Sequence, residues 1–130
     1  MADTLDTFNT GSLRRLSHET PMGATRHYFN GLEADARTAL EIVAAPGAGR
    51  KLILTHLTLS TLTAQSISIL NGTTTTLIGP IQLIAAGASY VKDYELGIEL
   101  TENTAMYVKS DTDVTFHIYI EYLDVPVGKL

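Results

Sequence analysis

The sequence predicts an all-β protein: an antiparallel β-sandwich, jelly-roll-like in its winding, with an extended N-terminal arm. Three observations lead there. From Val114 to Tyr122 the residues alternate strictly, with Val114, Phe116, Ile118, Ile120 and Tyr122 on one side and Thr115, His117, Tyr119 and Glu121 on the other. Successive side chains of a strand point to opposite faces, so this segment buries one face and wets the other. Leu96, Ile98 and Leu100 repeat the pattern, with Gly97, Glu99 and Thr101 opposite. Turn residues then divide the chain into short runs at the regular spacing of a two-sheet sandwich.

The elements follow in order. Residues 1–37 have a polar texture with sparse apolar residues (Leu5, Phe8, Leu13, Leu16, Met22, Tyr28, Phe29), which reads as the arm; residues 38–130 read as the sandwich domain. Within the arm Ser12 could cap a short helix over Gly11–His18, stopped by Pro21 and Gly23. Thr38–Ala44 is the first expected strand, closed by the turn Ala45-Pro46-Gly47-Ala48-Gly49. Arg50–Leu62 is a long strand with apolar residues on both faces, as befits a central or covered strand. Gln65–Leu70 precedes Asn71-Gly72, a strong hairpin signal, and Thr73–Ile78 pairs back. Gly79-Pro80 is expected to break that strand before Ile81–Ile84 resumes. Ser89–Tyr94 and Leu96–Leu100 form two short strands or one bent one, and Ala105–Lys109 leads through Ser110–Asp113 into the last strand.

Composition bounds the function classes. A chain of 130 residues is one domain by size, and it has no cysteine, which removes disulfides, thiolate zinc sites and a cysteine nucleophile. Up to Lys51 six basic residues balance six acids; beyond it Lys92, Lys109 and Lys129 face eight acids, so the net charge of −5 lies in the C-terminal part. Phosphate contacts dominate nucleic-acid affinity, so no nucleic acid is expected as a partner. No apolar run has the length of a membrane span, and Asp3 and Asp6 stand where a secretion signal needs basic and apolar residues. Neither membrane association nor secretion by that route is expected.

No constellation marks a catalytic, metal or cofactor site, and none is expected. Pro46-Gly47-Ala48-Gly49-Arg50-Lys51 lacks the spacing and the Ser or Thr of a phosphate loop. Ser110-Asp111-Thr112-Asp113 offers oxygens to calcium but completes no ligand set. His18, His27, His56 and His117 show no metal spacing, though His56 and His117 lie in expected strands and could meet across a sheet. No Gly-x-Ser-x-Gly elbow is present. Tyr90, Tyr94, Tyr107, Tyr119 and Tyr122 could form an aromatic sugar platform.

From about Glu41 to Asp124 the chain resembles the head decoration, or cement, proteins of tailed bacteriophages. The resemblance rests on Val43-Ala44-Ala45-Pro46-Gly47-Ala48-Gly49-Arg50-Lys51, the strand Leu52–Ser60, the stretch Gly79-Pro80-Ile81-Gln82-Leu83-Ile84-Ala85-Ala86-Gly87, the loop Leu100-Thr101-Glu102-Asn103-Thr104-Ala105, and the closing strand. It implies a non-enzymatic virion protein on the outer surface of the head, made in the host cytoplasm. Its implied partners are the major capsid protein, whose neighbouring subunits it would clamp, and copies of itself as a dimer or trimer. In that setting Leu13, Arg14, Arg15, Leu16, Arg26, Tyr28 and Phe29 are the expected arm contacts, because Arg and Tyr are so often decisive at interfaces. The competing expectation is a tail, neck or fibre module that binds host glycan or acts as an adaptor.

Overall fold

Eight strands fold in chain order as β1 (Thr25–Glu33), β2 (Leu40–Val43), β3 (Arg50–Thr61), β4 (Gln65–Asn71), β5 (Thr75–Leu83), β6 (Ser89–Glu99), β7 (Met106–Ser110) and β8 (Phe116–Pro126) in the computed structural model, which describes residues 23–127. They form two four-stranded antiparallel sheets, ordered β1-β8-β3-β6 and β2-β7-β4-β5. The pairs β1–β8, β2–β7, β3–β6 and β4–β5 nest like one long hairpin, which the β3–β8 and β4–β7 pairings roll into a sandwich. That winding is a jelly roll, as the sequence predicted. No helix occurs among the described residues.

The alternation that announced β8 does what it promised: Phe116, Ile118 and Ile120 are buried while His117, Tyr119 and Glu121 face outward. The long strand expected over Arg50–Leu62 is the central β3, Arg50–Thr61, held between β8 and β6. Its two-faced apolar pattern has a local cause. Leu54 pairs with Tyr122 and His56 with Glu121, so Thr55 is an extra residue in the strand. The bulge lets Leu52 and Leu54 point into the core before it, and Leu57 and Leu59 after it, although the two pairs differ in parity. Ile53 is left on the outer face, where it packs with Leu123 and Val125 as a second small cluster.

Two boundaries differ from expectation, and a third case settles on the bent strand of the two alternatives expected. Thr25–Glu33 was assigned to the arm, yet it is β1, paired with β8 at nine consecutive positions. Its inward row is His27, Phe29, Gly31 and Glu33, with one strongly apolar side chain, so the usual alternation is missing. The expected break at Gly79-Pro80 does not end β5, which runs through it across a cis peptide bond. Pro80 falls in the register shift between the Ile67–Ile81 and Ile69–Ile78 pairs of an edge strand, a place where proline is tolerated. Residues 89–99 form one strand, β6, that bows out: Leu54 pairs with Ile98 and His56 with Asp93, leaving 94–97 as an excursion. Gly97 turns it with φ +74°, and any Cβ there would strike Ile53.

The main core lies between the sheets, with Leu52, Leu54, Leu57, Leu59, Ile118 and Ile120 from one and Ile67, Ile69, Met106 and Val108 from the other. Leu57→Ala should lower unfolding free energy by about 2–5 kcal/mol, whereas Leu96→Ala, at a position 98% exposed on the excursion, should change it by about 0.5 kcal/mol or less. Urea denaturation of the two variants reads this contrast.

Tyr94 and Tyr122 pack against the core rim. Burial raises the hydroxyl pKa of both, helped by Tyr90 for the first and by Asp124 for the second. A pKa raised in the folded state favours folding below the unfolded value, about 10, and that stability is lost as pH rises beyond it. Stability should therefore fall above about pH 10. Tyr94→Phe and Tyr122→Phe should flatten the fall in denaturation midpoints measured across that range.

Candidate interaction surface

Strand pairing arranges the outer face of the β1-β8-β3-β6 sheet in rows. Arg26, Leu123, Ile53 and Glu99 form one; Tyr28, Glu121, His56 and Asp93 the next; Asn30, Tyr119, Thr58 and Val91 a third; Leu32, His117, Ser60 and Ser89 a fourth. Opposite residues of a sheet lie within side-chain reach, and most of these are engaged. His56 bonds Asp93 through Nδ1 at 2.6 Å and Thr58 through Nε2 at 2.7 Å. Tyr119 donates to Glu121 Oε2 at 2.8 Å, and His117 meets Asn30 Oδ1 at 2.6 Å. The Tyr119 ring lies 6.1 Å from Tyr28 and 5.7 Å, edge-on, from His56.

Arg26, His27, Tyr28, Tyr119 and Glu121 surround a shallow cavity of about 290 Å³. At the end of the sandwich where β1 and β3 stop, a larger groove of about 590 Å³ runs between Leu32, Thr61, Leu62, Thr115 and His117, with Phe116 in its lining. Leu32 and Leu62 are 72% and 84% exposed, and Ile84, on the loop after β5 at this same end, is 81% exposed. The groove is built on a firm base. Gln65, buried, donates to Thr61 Oγ1 at 2.8 Å and accepts from Ser110 Oγ at 2.5 Å, which ties the ends of β3, β4 and β7 together. Thr61 makes further backbone bonds to the β5–β6 loop, donating to the Ala88 carbonyl and accepting from the Gly87 N–H.

The expected contact residues separate. Leu13, Arg14, Arg15 and Leu16, with the short helix, lie outside the described residues. Arg26 and Tyr28 are exposed on β1, Tyr28 at 70%. Phe29 alternates to the inner face and packs against the main core, so its work is in folding. Leu62 and Ile84 were not singled out from sequence. Each sits in a loop, where one apolar residue carries no periodic signal.

The other expectations resolve locally. Gly47 N–H donates to Asn103 Oδ1 at 3.0 Å and Gly49 N–H to Glu102 Oε2 at 2.8 Å, so the glycine-rich turn spends its donors on its own chain. Asp111 accepts the Ser66 N–H at 2.8 Å, which starts β4. Among the described residues no group of three His, Cys, Asp or Glu side chains could hold a metal, and no helix is long and apolar enough to cross a membrane. His56 and His117 share a face but lie in different rows, each with its own partners. Of the tyrosines, Tyr90, Tyr94 and Tyr122 turn to the core while Tyr119 faces outward and Tyr107 belongs to the other sheet, so the five form no common platform.

Asp93, His56 and Thr58 do make a carboxylate–imidazole–hydroxyl chain. Thr58 and His56 stand two apart on β3, just past the Thr55 bulge, where the strand pairs with β8 on one side and β6 on the other. The arrangement fixes side chains on a surface.

No protein-family model matches the chain, and no curated protein matches it. Among solved structures it is similar to a chain of the cyanophage Pam1 capsid asymmetric unit, at 12% identity and TM-score 0.47, covering 94% of this chain and 100% of that one. A chain of Bacillus endospore appendages, described as disulfide-linked pili, aligns at 10% identity and TM-score 0.47 over 91% and 100%. The D431N mutant VP2 protein of infectious bursal disease virus, from T=1 particles, aligns at 9% and 0.40 over 99% of this chain and 37% of its own. Likeness at this level assigns no role, and the functional reading rests on this chain's own residues.

Tyr119 gives the surface a spectroscopic handle. Its hydrogen bond to the Glu121 carboxylate, first among the causes, raises its hydroxyl pKa. Glu121→Gln should bring the Tyr119 transition back toward the ordinary tyrosine range in an ultraviolet titration at alkaline pH, with Tyr119→Phe identifying which transition it is.

Proposed function

We propose that this protein is a virion structural protein and, within that class, a capsid decoration or cement protein. It binds on the outer surface of a phage head and clamps neighbouring major capsid subunits, acting by contact and not by catalysis. The observation that carries this reading is the apolar end of the sandwich, where Leu32 and Leu62 stand exposed around the groove lined by Phe116 and Ile84 is exposed on the loop after β5 at the same end. Exposed apolar side chains gathered at one end of a rigid body suit a protein partner. The reading is supported further by the sequence resemblance over residues 41–124 and by the jelly-roll winding.

The N-terminal residues Leu13, Arg14, Arg15 and Leu16, with Arg26 and Tyr28, supply further contacts in this proposal. Several modest contacts on one rigid body raise occupancy through effective concentration. A useful truncation stops at residue 22, since removing residues 1–36 would take β1 out of its sheet.

Heads stripped of this protein and re-exposed to it provide the test. Leu62→Asp should weaken co-sedimentation by about tenfold or more, because docking would bury an unpaired charge. Its melting temperature should stay within about 2 °C of the parent protein. Cryo-EM of the virion should then place the protein over junctions between shell subunits. Density confined to neck, tail or fibre would overturn the proposal, as would binding that ignores Leu62→Asp.

A further inference from the structure

A jelly roll has four edge strands, here β1, β6, β2 and β5. An exposed edge is a template for pairing with another chain, and proteins usually blunt it with short length, bulges, proline or charge. Three edges here are blunted. β2 has four residues and shifts register between Glu41 and Val43. β5 carries Pro80 and shifts register twice against β4. β6 carries Lys92, Asp93 and Glu95 and bows out over 94–97.

β1 has none of these devices. It pairs with β8 at nine consecutive positions without a shift, and its charged residues, Arg26 and Glu33, stand near its two ends. Among the described residues it pairs with β8 alone. Between the charges, Tyr28 and Leu32 are exposed at 70% and 72% on the outer face. The strand is also self-complementary. Run antiparallel against a copy of itself about a twofold axis at Asn30, it sets Tyr28 opposite the partner's Leu32 on the outer face. On the inner face the same register sets His27 opposite the partner's Glu33. Exposed apolar groups meet, and a base meets an acid.

We propose that β1 is the pairing strand of a symmetric homodimer, in which two copies join edge to edge and their four-stranded sheets become one continuous sheet. Antiparallel pairing of identical strands is isologous, so it closes at two copies and leaves no further edge to propagate. This deepens the homo-oligomer part of the virion proposal by naming the edge. It is argued from the strand edges, and it shares only Leu32 with the apolar groove at the strand end, where Leu62 and Phe116 lie outside the paired strand.

The absence of cysteine makes the test clean, because Asn30→Cys introduces one thiol per chain. Facing residues across an antiparallel pair lie about 4.5–5.5 Å apart at Cα, within disulfide range. Mild oxidation of Asn30→Cys should give a dimer on a non-reducing gel, while Ser89→Cys, on the opposite edge β6, should stay uncrosslinked. The parent protein should sediment at twice its 14.1 kDa chain mass. Tyr28→Lys with Leu32→Lys, which sets lysine against lysine, should return it to monomer with unchanged circular dichroism.

A parent monomer at micromolar concentration, a trimer, or no cross-link at Asn30→Cys would each overturn the pairing. So would a monomer that dimerises only once residues 1–22 are deleted, since the chain's own N-terminal segment would then be the occupant of the edge. A solution dimer that never binds heads leaves this pairing intact and defeats the virion reading; a monomer that binds heads does the reverse.

Discussion

One extra residue in the central strand sets the phase of the whole sandwich. β3 pairs on both sides, with β8 and β6, so its register constrains every row of that sheet. Leu52 and Leu54 have one parity and Leu57 and Leu59 the other, and an unbroken strand could bury only one pair. Thr55 resolves the conflict by bulging, and its hydroxyl donates to the Glu121 carbonyl at 3.1 Å. β6 answers with its excursion, closed by the positive φ of Gly97 against Ile53. The same bulge turns His56 outward beside Asp93 and places Ile53 with Leu123 and Val125 on the far face.

At the groove end the constraint is polar. Thr61, Gln65 and Ser110 are buried, and their hydrogen bonds satisfy one another across the two sheets. A buried polar group without partners is costly, so a satisfied cluster holds its elements to one geometry. That geometry fixes where Leu62 leaves β3. An apolar side chain displayed from a fixed end loses little further freedom on docking, which is how preorganisation strengthens a contact surface. The other end is held differently: Arg50 bonds Asp124 Oδ1 at 2.6 Å and the Gly23 carbonyl at 3.0 Å, which anchors the entry to β1.

The core strands were legible in the sequence because burying one face imposes a period of two. β8 shows this plainly, and the hairpin after Asn71 followed from its turn residues, although residues 72–74 make the loop and the Asn71 side chain bonds Thr101. β1 was not legible. Its inward face offers Phe29 between His27, Gly31 and Glu33, so it resembles the polar segment before it and earns its place through pairing with β8. Arg26 and Tyr28 were read as candidate contacts by residue type, and they do face outward. Leu62 and Ile84 acquire meaning only once the fold gathers their loops at one end.

Sequence by itself determined the all-β class, the two-sheet jelly-roll-like body, the long two-faced strand at Arg50–Leu62 and the alternation of β8, since each follows from local periodicity and turn chemistry. Tertiary structure alone decided that Thr25–Glu33 is a strand, that Thr55 re-phases β3, and that the glycine-rich turn spends its N–H groups on Glu102 and Asn103. The division has a physical reason. Periodicity records which face of a strand is buried, but a bulge, an edge or a turn's partner depends on residues brought from far along the chain.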